Sequence, residues 1–270
     1  MVWTLCLCIG LCSGFLAGLL GVGGGVVIVP ALILGAHRLG IGAVDAAPVA
    51  MATALAIVIP TSISSARAHA LRDSIDWHAF WYAAPGVTAG ALTGTLAVGA
   101  IGAPLGGRLA LAAFIGFALL AARRMLAPVS ATGEPGPTAV VPLIARLRPH
   151  TVAIGLLSAL AGVGGGLLSV PLLARYIPLR RAIGTAAALG LPLAVAGLSG
   201  YLLAGHPAQC AAGCLGYVFV PAALAASLAA ITTAPLGARV AHHLPAPLLK
   251  RSFATLLLLV SADLSSELFR

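Results

Sequence analysis

Two copies of one five-residue glycine motif are the residues of this chain best suited to hold a ligand. The sequence Gly-Val-Gly-Gly-Gly occurs twice, and a proline follows five residues after each copy. Bare glycines let backbone N–H groups converge, and a helix that starts there presents its positive end at the same place. The motif therefore predicts an anion-binding site. Its residues are Gly21, Val22, Gly23, Gly24 and Gly25 in the first copy and Gly162, Val163, Gly164, Gly165 and Gly166 in the second.

Two other interpretations of glycine-rich stretches compete with this one. Glycines can simply let helices pack closely, which we favour for Gly86, Gly90 and Gly94 in an apolar run. A dinucleotide-binding fingerprint counted from Gly21 would need glycine in place of Val26, and Lys250 is the only lysine of the chain, so a Walker motif is excluded.

A few hydroxyl and basic side chains are predicted to supplement the motif. Thr53 and Thr185 occupy equivalent positions in two similar segments, although a hydroxyl on an apolar helix more often bonds its own backbone. Arg67 and His69 end the segment that carries Thr53. They are candidates for gating or, through the histidine, for coupling to protons, with an ordinary interfacial role as the alternative.

The acidic residues argue against a cation path. The carboxylates fall in or beside loops or near the end of the last apolar segment, and they are Asp45, Asp73, Asp76, Glu134, Asp263 and Glu267. A carboxylate in mid-membrane would mark a cation pathway. No nucleophile has a plausible base, and no His, Cys and Asp cluster has metal-ligand spacing. We therefore expect neither catalysis nor a metal or cofactor.

The composition places the chain in a membrane. It is 60% hydrophobic and 8% charged over 270 residues. This is more apolar surface than a soluble domain of this size can bury. A helix needs about 20 apolar residues to cross a bilayer, and the chain holds roughly eight apolar segments. The net charge of +9 comes from arginines scattered between these segments, so nucleic acid is not an expected partner.

The chain is an internal repeat. Residues 14–32 match residues 155–173 at eleven of 19 positions, and residues 50–60 parallel residues 182–192. Chance does not produce this similarity. We predict an N-terminal repeat at 1–122, a cytoplasmic linker at 123–150 and a C-terminal repeat at 151–270.

The arginines decide how the two repeats are oriented. If every apolar segment crosses once, the basic residues divide seven against eight between the two sides. If each glycine-rich segment instead enters the membrane, turns at the motif and leaves by the same face, only Arg38, Arg108 and Arg270 lie on one side and twelve lie on the other. Because cytoplasmic loops carry an excess of basic residues, the second arrangement is favoured. It places both termini in the periplasm.

The positions of the cysteines favour a role in helix packing over disulfide bonding. Cys6, Cys8 and Cys12 lie in the first apolar run, and Cys210 and Cys214 are four residues apart near a loop. Small apolar residues filling a helix interface are the favoured interpretation. A disulfide between the last two is disfavoured, because residues four apart on a helix are usually too distant to bridge.

Several segments resemble one known family. These are the two glycine motifs with their prolines, Ala-Thr-Ala-Leu at 52–55 and Gly-Thr-Ala-Ala at 184–187 where a Gly-Thr-Ser-Leu element is common, and residues 66–77 and 234–259. The chain is similar to the TauE/SafE (sulfite exporter) family of membrane permeases. The resemblance implies transport of sulfur-containing anions such as sulfite, thiosulfate or sulfoacetate in a bacterial inner membrane. Alanine replaces glycine at Ala52 and serine at Ala54 and Ala186, so both elements of this chain lack that serine hydroxyl.

The expected fold is an all-α integral membrane protein with two inverted repeats, each a re-entrant, broken glycine-rich helix followed by three transmembrane helices. The expected function is secondary transport of a small sulfur-containing anion by alternating access. A non-transporting membrane partner and an anion channel are the alternatives. The expected partners are the anion, the lipid bilayer and protons as coupling ion. Small-residue faces also allow a homodimer, although helices within one chain use the same faces.

Overall fold

The computed structural model describes residues 2–21, 23–126, 148–174, 176–205, 207 and 213–243, and scattered residues between 245 and 265. Its first half contains α1 (Val2–Leu20), α2 (Gly25–Gly35), a short 3-10 helix (Ala36–Leu39), α3 (Ala43–Ala70), α4 (Trp77–Ile101) and α5 (Ala103–Leu126). Its second half contains α6 (Arg148–Leu160), α7 (Gly166–Leu173), α8 (Leu179–Leu203), β1 (Cys214–Leu215), β2 (Val218–Phe219) and α9 (Val220–His243).

Four of these helices are long and apolar enough to cross a membrane, namely α3, α4, α8 and α9. They have 24 to 28 residues each. Most of the largest buried side chains lie on them, including Leu55 and Leu193, and Ile28 of α2 is equally buried, so the core is formed between the long helices and the first short arm. The expectation of an all-α membrane protein is confirmed.

Each half begins with a helix that is broken at the glycine motif. The break separates α1 from α2 in the first half and α6 from α7 in the second. The arms α2, α6 and α7 have 11, 13 and 8 residues, too few to cross a bilayer alone. In the first half the arms are unequal, because α1 has 19 residues. A broken helix at each glycine motif was predicted, and the structure has one at both places.

The first helix of each half packs on the other half. A Cβ added at Gly10, Gly14 or Gly18 of α1 would meet α9 at Ala226, Ala230 or Ala234. Residue numbers therefore increase in the same direction along α1 and α9, and the two helices are parallel. Helices α4 and α6 pair in the same manner, with Gly86 against Thr151 and Gly94 against Leu156. The interpretation of Gly86, Gly90 and Gly94 as packing residues is confirmed.

The equivalent long helices α3 and α8 run in opposite directions. Along α8, Gly184 lies beside His69, Gly190 beside Ser62 and Gly197 beside Leu55. Opposite directions of equivalent helices are what inverted halves require. Inversion across a membrane stays a prediction, as do the domain bounds and the third crossing of each half. Helix α5 extends to Leu126 and α6 begins at Arg148, so both ends of the proposed linker are helical, and residues 127–147 lie outside the described part.

Four arginines lie together at one end of the helix bundle. Arg72, Arg180, Arg181 and Arg239 line a single cavity there. The arrangement in which every apolar segment crosses once puts Arg72 on the opposite side from the other three. The arrangement with broken helices puts all four on one side, and only that arrangement agrees with the cavity.

The opposite end carries a β-hairpin. Strands β1 and β2 pair antiparallel, with Cys214 opposite Phe219. Cys214 is disulfide-bonded, whereas Cys6, Cys8 and Cys12 are free and Cys210 lies outside the described residues. The interpretation of the cysteines as packing residues was therefore wrong at Cys214. The spacing argument assumed a helix, and Cys214 lies in a strand.

Candidate functional site

The two glycine turns meet in the core between the halves. A Cβ at Gly23 would lie 2.9 Å from the Cα of Gly164, and one at Gly25 would overlap the Gly162 carbonyl oxygen. The described residues of both turns are buried, including Val163 at 0% exposure. Val22 lies outside the described residues. The structure thus brings the two predicted motifs together, at a distance that only glycine allows.

Each turn also touches the threonine-bearing helix of the other half. A Cβ at Gly21 would lie 2.5 Å from the carbonyl oxygen of Ile183, two residues before Thr185. A Cβ at Gly162 would lie 2.7 Å from the Cα of Met51, two residues before Thr53. The contacts are equivalent in the two halves. They place each predicted threonine one helical turn or less from a glycine motif.

Several backbone donors of the turns have no acceptor among the residues that the structure describes. In the described part of the chain, no backbone hydrogen bond is made by the N–H groups of residues 23–26 or 164–166. Residues 25–26 and 166 begin helices α2 and α7, whose first N–H groups have no intrahelical partner. Buried N–H groups are rarely left unpaired in proteins. Two helix starts with open donors therefore meet in one buried place, which suits an anion or ordered water.

Thr53 and Thr185 have the same structural role in the two halves. The Thr53 hydroxyl oxygen accepts a hydrogen bond of 2.9 Å from the N–H of Phe219, and Thr185 accepts one of 2.9 Å from the N–H of Asp76. Phe219 and Asp76 directly precede α9 and α4. Each threonine therefore ties the start of a long helix to the opposite half. Substrate binding by these hydroxyls stays a prediction.

Two buried serines are further candidates to contact a ligand. The hydroxyls of Ser62 and Ser158 find no hydrogen-bond partner in the described part of the protein, and the two residues are 1% and 0% exposed. Ser62 lies one turn from Val58, whose side chain lies 3.0 Å from a Cβ built at Gly23. Ser158 accepts the N–H of Val163 with its carbonyl oxygen. Ser158 thus contacts the second glycine turn through its backbone, and Ser62, whose hydroxyl faces Gly190 of α8, lies one helical turn from a residue that contacts the first.

Arg67 and His69 differ in their exposure to solvent. Arg67 is exposed on α3, whereas His69 is 1% exposed. The Nε2 atom of His69 lies 3.0 Å from the carbonyl oxygen of Gly18, three residues before the first glycine motif. The histidine therefore contacts the arm that leads into the turn, and the arginine does not lie in the core.

The hairpin closes the end of the core opposite the arginines. The ring of Tyr217 lies 6.4 Å from the ring of the fully buried Tyr201, edge to face. Burial of Tyr217, and next the nearby Asp45 carboxylate, raise the pKa of the Tyr217 hydroxyl. Both effects favour the neutral phenol. Among the described residues, no group of three or more His, Cys, Asp and Glu side chains could hold a metal ion.

Sequence comparisons find relatives over most of the chain. A probable membrane transporter protein of Haemophilus influenzae is 30% identical over 263 residues, which cover 96% of this chain and 97% of that protein. A probable membrane transporter protein of Methanocaldococcus jannaschii is 28% identical over 253 residues, covering 89% and 86%. No solved structure matches the chain. The model of the sulfite exporter TauE/SafE family matches residues 6–264, and the chain belongs to this family of membrane transporters.

Proposed function

We propose that this membrane transporter carries a small sulfur-containing anion, such as sulfite, thiosulfate or an organosulfonate, by alternating access. The family description names sulfite export, which supports a sulfur anion as the substrate class. One observation carries the proposal at the level of the site. Two glycine turns, one from each half, meet in the core with backbone donors that have no acceptor among the described residues.

The donors match the chemistry of an oxyanion. Sulfite and sulfonates present several oxygens that accept hydrogen bonds, and N–H groups at helix starts donate to such oxygens while the helix dipole favours the negative charge. The hydroxyl of Ser62 can add a donor from α3. In secondary transporters built from repeats, broken helices often form such a site at the repeat interface.

Access to this site requires movement. The glycine turns are packed against each other, and the cavities of about 660 and 320 Å³ at the arginine end are lined by other residues. We expect the turns to separate from one side of the membrane at a time. His69 is buried beside the arm that leads into the first turn, and it is the residue that we expect to bind a coupling proton.

The two ends of the bundle support one orientation in a bacterial inner membrane. Arginines favour the cytoplasmic side, whereas disulfides persist in the oxidising periplasm. Helix α1 runs parallel to α9, which begins at the hairpin end, so α1 also begins there. We therefore place the N-terminus and the hairpin in the periplasm and the arginine cavity in the cytoplasm.

Anion-dependent stability of the purified protein tests the site. A ligand that binds only the native state raises its apparent stability by mass action. We expect sulfite, thiosulfate or sulfoacetate to raise the melting temperature selectively over acetate, phosphate and sulfate. A flat response, together with absent flux in proteoliposomes, would favour a non-transporting partner in which the glycines serve packing alone. Flux that does not saturate with anion concentration would indicate a channel.

A further inference from the structure

A cavity at the arginine end is lined by three separate segments. Arg72 comes from the connection between α3 and α4, Arg180 and Arg181 from the first turn of α8, and Arg239 from the last turns of α9. The cavity has a volume of about 660 Å³. Segments distant in sequence thus bring four guanidinium groups to one concave surface.

The positive charge of this cavity is only partly compensated. Asp73 is the single carboxylate among its lining residues. Within the described part of the chain, the side chains of Arg181 and Arg239 take part in no hydrogen bond or ion pair. Arg72 donates to the carbonyl oxygen of Ala68, which is a neutral acceptor and leaves the charge in place. A concave surface of one sign concentrates ions of the opposite sign.

The cavity adjoins the candidate site through the start of α8. Arg181 lines the cavity, and two residues later the carbonyl oxygen of Ile183 contacts the first glycine turn at Gly21. One residue further, Gly184 contacts the carbonyl oxygen of Ser74, another residue of the cavity lining. The same helical turn therefore borders both the cavity and the glycine turn.

The size of the cavity indicates what it does to an anion. A single water needs only about 10–15 Å³, so a cavity of about 660 Å³ has room for an anion together with its hydration shell. The four arginines are exposed. Attraction in such a hydrated space depends on charge and is weakened by salt.

We propose that this cavity is a vestibule that concentrates small sulfonate-type or phosphate-type oxyanions at the mouth of the transport site. This proposal rests on the proposed function in assigning the vestibule to the transported anion. Because the arginines attract anions through charge alone, their removal should weaken anion binding at low salt. It should not change the selectivity between anions of equal charge and size. An anionic lipid headgroup has the same oxygen chemistry, so the experiment must separate the two sources.

Binding of the fluorescent trisulfonate pyranine to the purified protein, followed by fluorescence anisotropy, tests the vestibule without transport. We expect Arg181→Gln combined with Arg239→Gln to weaken binding by about tenfold at roughly 0.01 M salt. The difference should vanish at about 1 M salt, where the Debye length is about 3 Å. Arg181→Lys combined with Arg239→Lys keeps the charge and should restore most of the binding, which separates loss of charge from misfolding.

Arg123→Gln is the matched control, because Arg123 is exposed on α5 and lies outside the cavity lining. It should bind pyranine as the wild type does. Equal binding by the wild type and the double glutamine variant would overturn the vestibule. If vesicles with phosphatidylglycerol displace pyranine from the wild type and vesicles of phosphatidylcholine do not, the cavity holds a lipid headgroup, and its assignment to a soluble anion is overturned. Absent sulfite flux in the wild type would refute the proposed function, while the pyranine result would still decide the vestibule.

Discussion

The two glycine turns are identical in sequence and different in conformation. In the first turn Gly21, Gly23 and Gly24 have φ values of 69°, 76° and 77°. In the second, positive φ is found only at Gly162, with a value of 63°, and Gly165 has a φ of −55°. Gly24 and Gly165 are equivalent positions, and each directly precedes the short helix of its half. The same five-residue sequence therefore adopts two different backbone conformations.

This difference indicates that the halves are related by sequence but are not in the same state. Glycine adopts both backbone conformations readily, so one motif can form either turn. In an alternating-access cycle between inverted halves, the two turns would exchange conformations as the open side changes. We expect transport to require glycine at both Gly24 and Gly165. In the described structure only Gly24 of these two has a positive φ that favours glycine.

The largest expected effect comes from comparing Gly24→Ala with Gly165→Ala. Alanine at Gly24 would adopt a left-handed backbone, which alone costs roughly 1–2 kcal/mol, and the overlap of its Cβ with the Ser13 backbone carbonyl oxygen 2.9 Å away adds to that cost. Alanine at Gly165 would meet the flexible Leu193 side chain at 3.3 Å. Thermal unfolding should show a clear loss of stability for the first variant and little for the second. Flux should be lost in both, and equal stability losses would contradict the structural difference.

A smaller effect is expected from Thr53→Val and Thr185→Val. Each change removes the acceptor of a backbone N–H group, at Phe219 or at Asp76. Phe219 is 6% exposed, so its unpaired N–H should cost about 1–3 kcal/mol. Asp76 lines a cavity of about 320 Å³, where water can replace the hydroxyl. Denaturation should therefore show a greater loss for Thr53→Val, and the serine variants at both positions should retain stability. The opposite order would mean that the hairpin end is the more hydrated of the two.

The smallest effect on stability is expected from Ser62→Ala. The Ser62 hydroxyl has no partner in the described part of the protein, so its removal should leave the free energy of unfolding unchanged or slightly improved. Sulfite flux should nevertheless fall, because a donor near the first glycine turn is lost. The control is Ser65→Ala, which removes a hydrogen bond of 3.4 Å to the Ala17 carbonyl oxygen. It should reduce stability slightly and leave flux per folded molecule unchanged. Normal flux in Ser62→Ala would remove this serine from the site.

Much of the fold could be predicted from the sequence because it follows from local patterns. Long apolar runs predict the long helices, and clustered glycines predict the breaks before α2 and α7. The hairpin was missed, because strands of two residues are too short for alternation to be recognised. A disulfide at Cys214 was disfavoured because helical spacing was assumed there, whereas Cys214 lies in a strand.

The site was predicted less completely, because its details depend on contacts between distant segments. Thr61 donates to the carbonyl oxygen of Ile57 in the way that hydroxyls on apolar helices usually do. The adjacent Ser62 faces Gly190 of α8 and makes no such bond in the described part. Sequence gives no way to tell these neighbours apart. The different conformations of two identical glycine motifs are likewise decided by packing and not by local sequence.

Exchange of ³⁵S-labelled sulfite in proteoliposomes containing the wild-type protein tests the central claim most directly. A transporter that works by alternating access should take up external label faster when unlabelled sulfite is present inside, and its rate should saturate with sulfite concentration. The account predicts both behaviours. Sulfite flux indistinguishable from that of protein-free liposomes, or flux that rises without saturation and is not accelerated by internal sulfite, would contradict it.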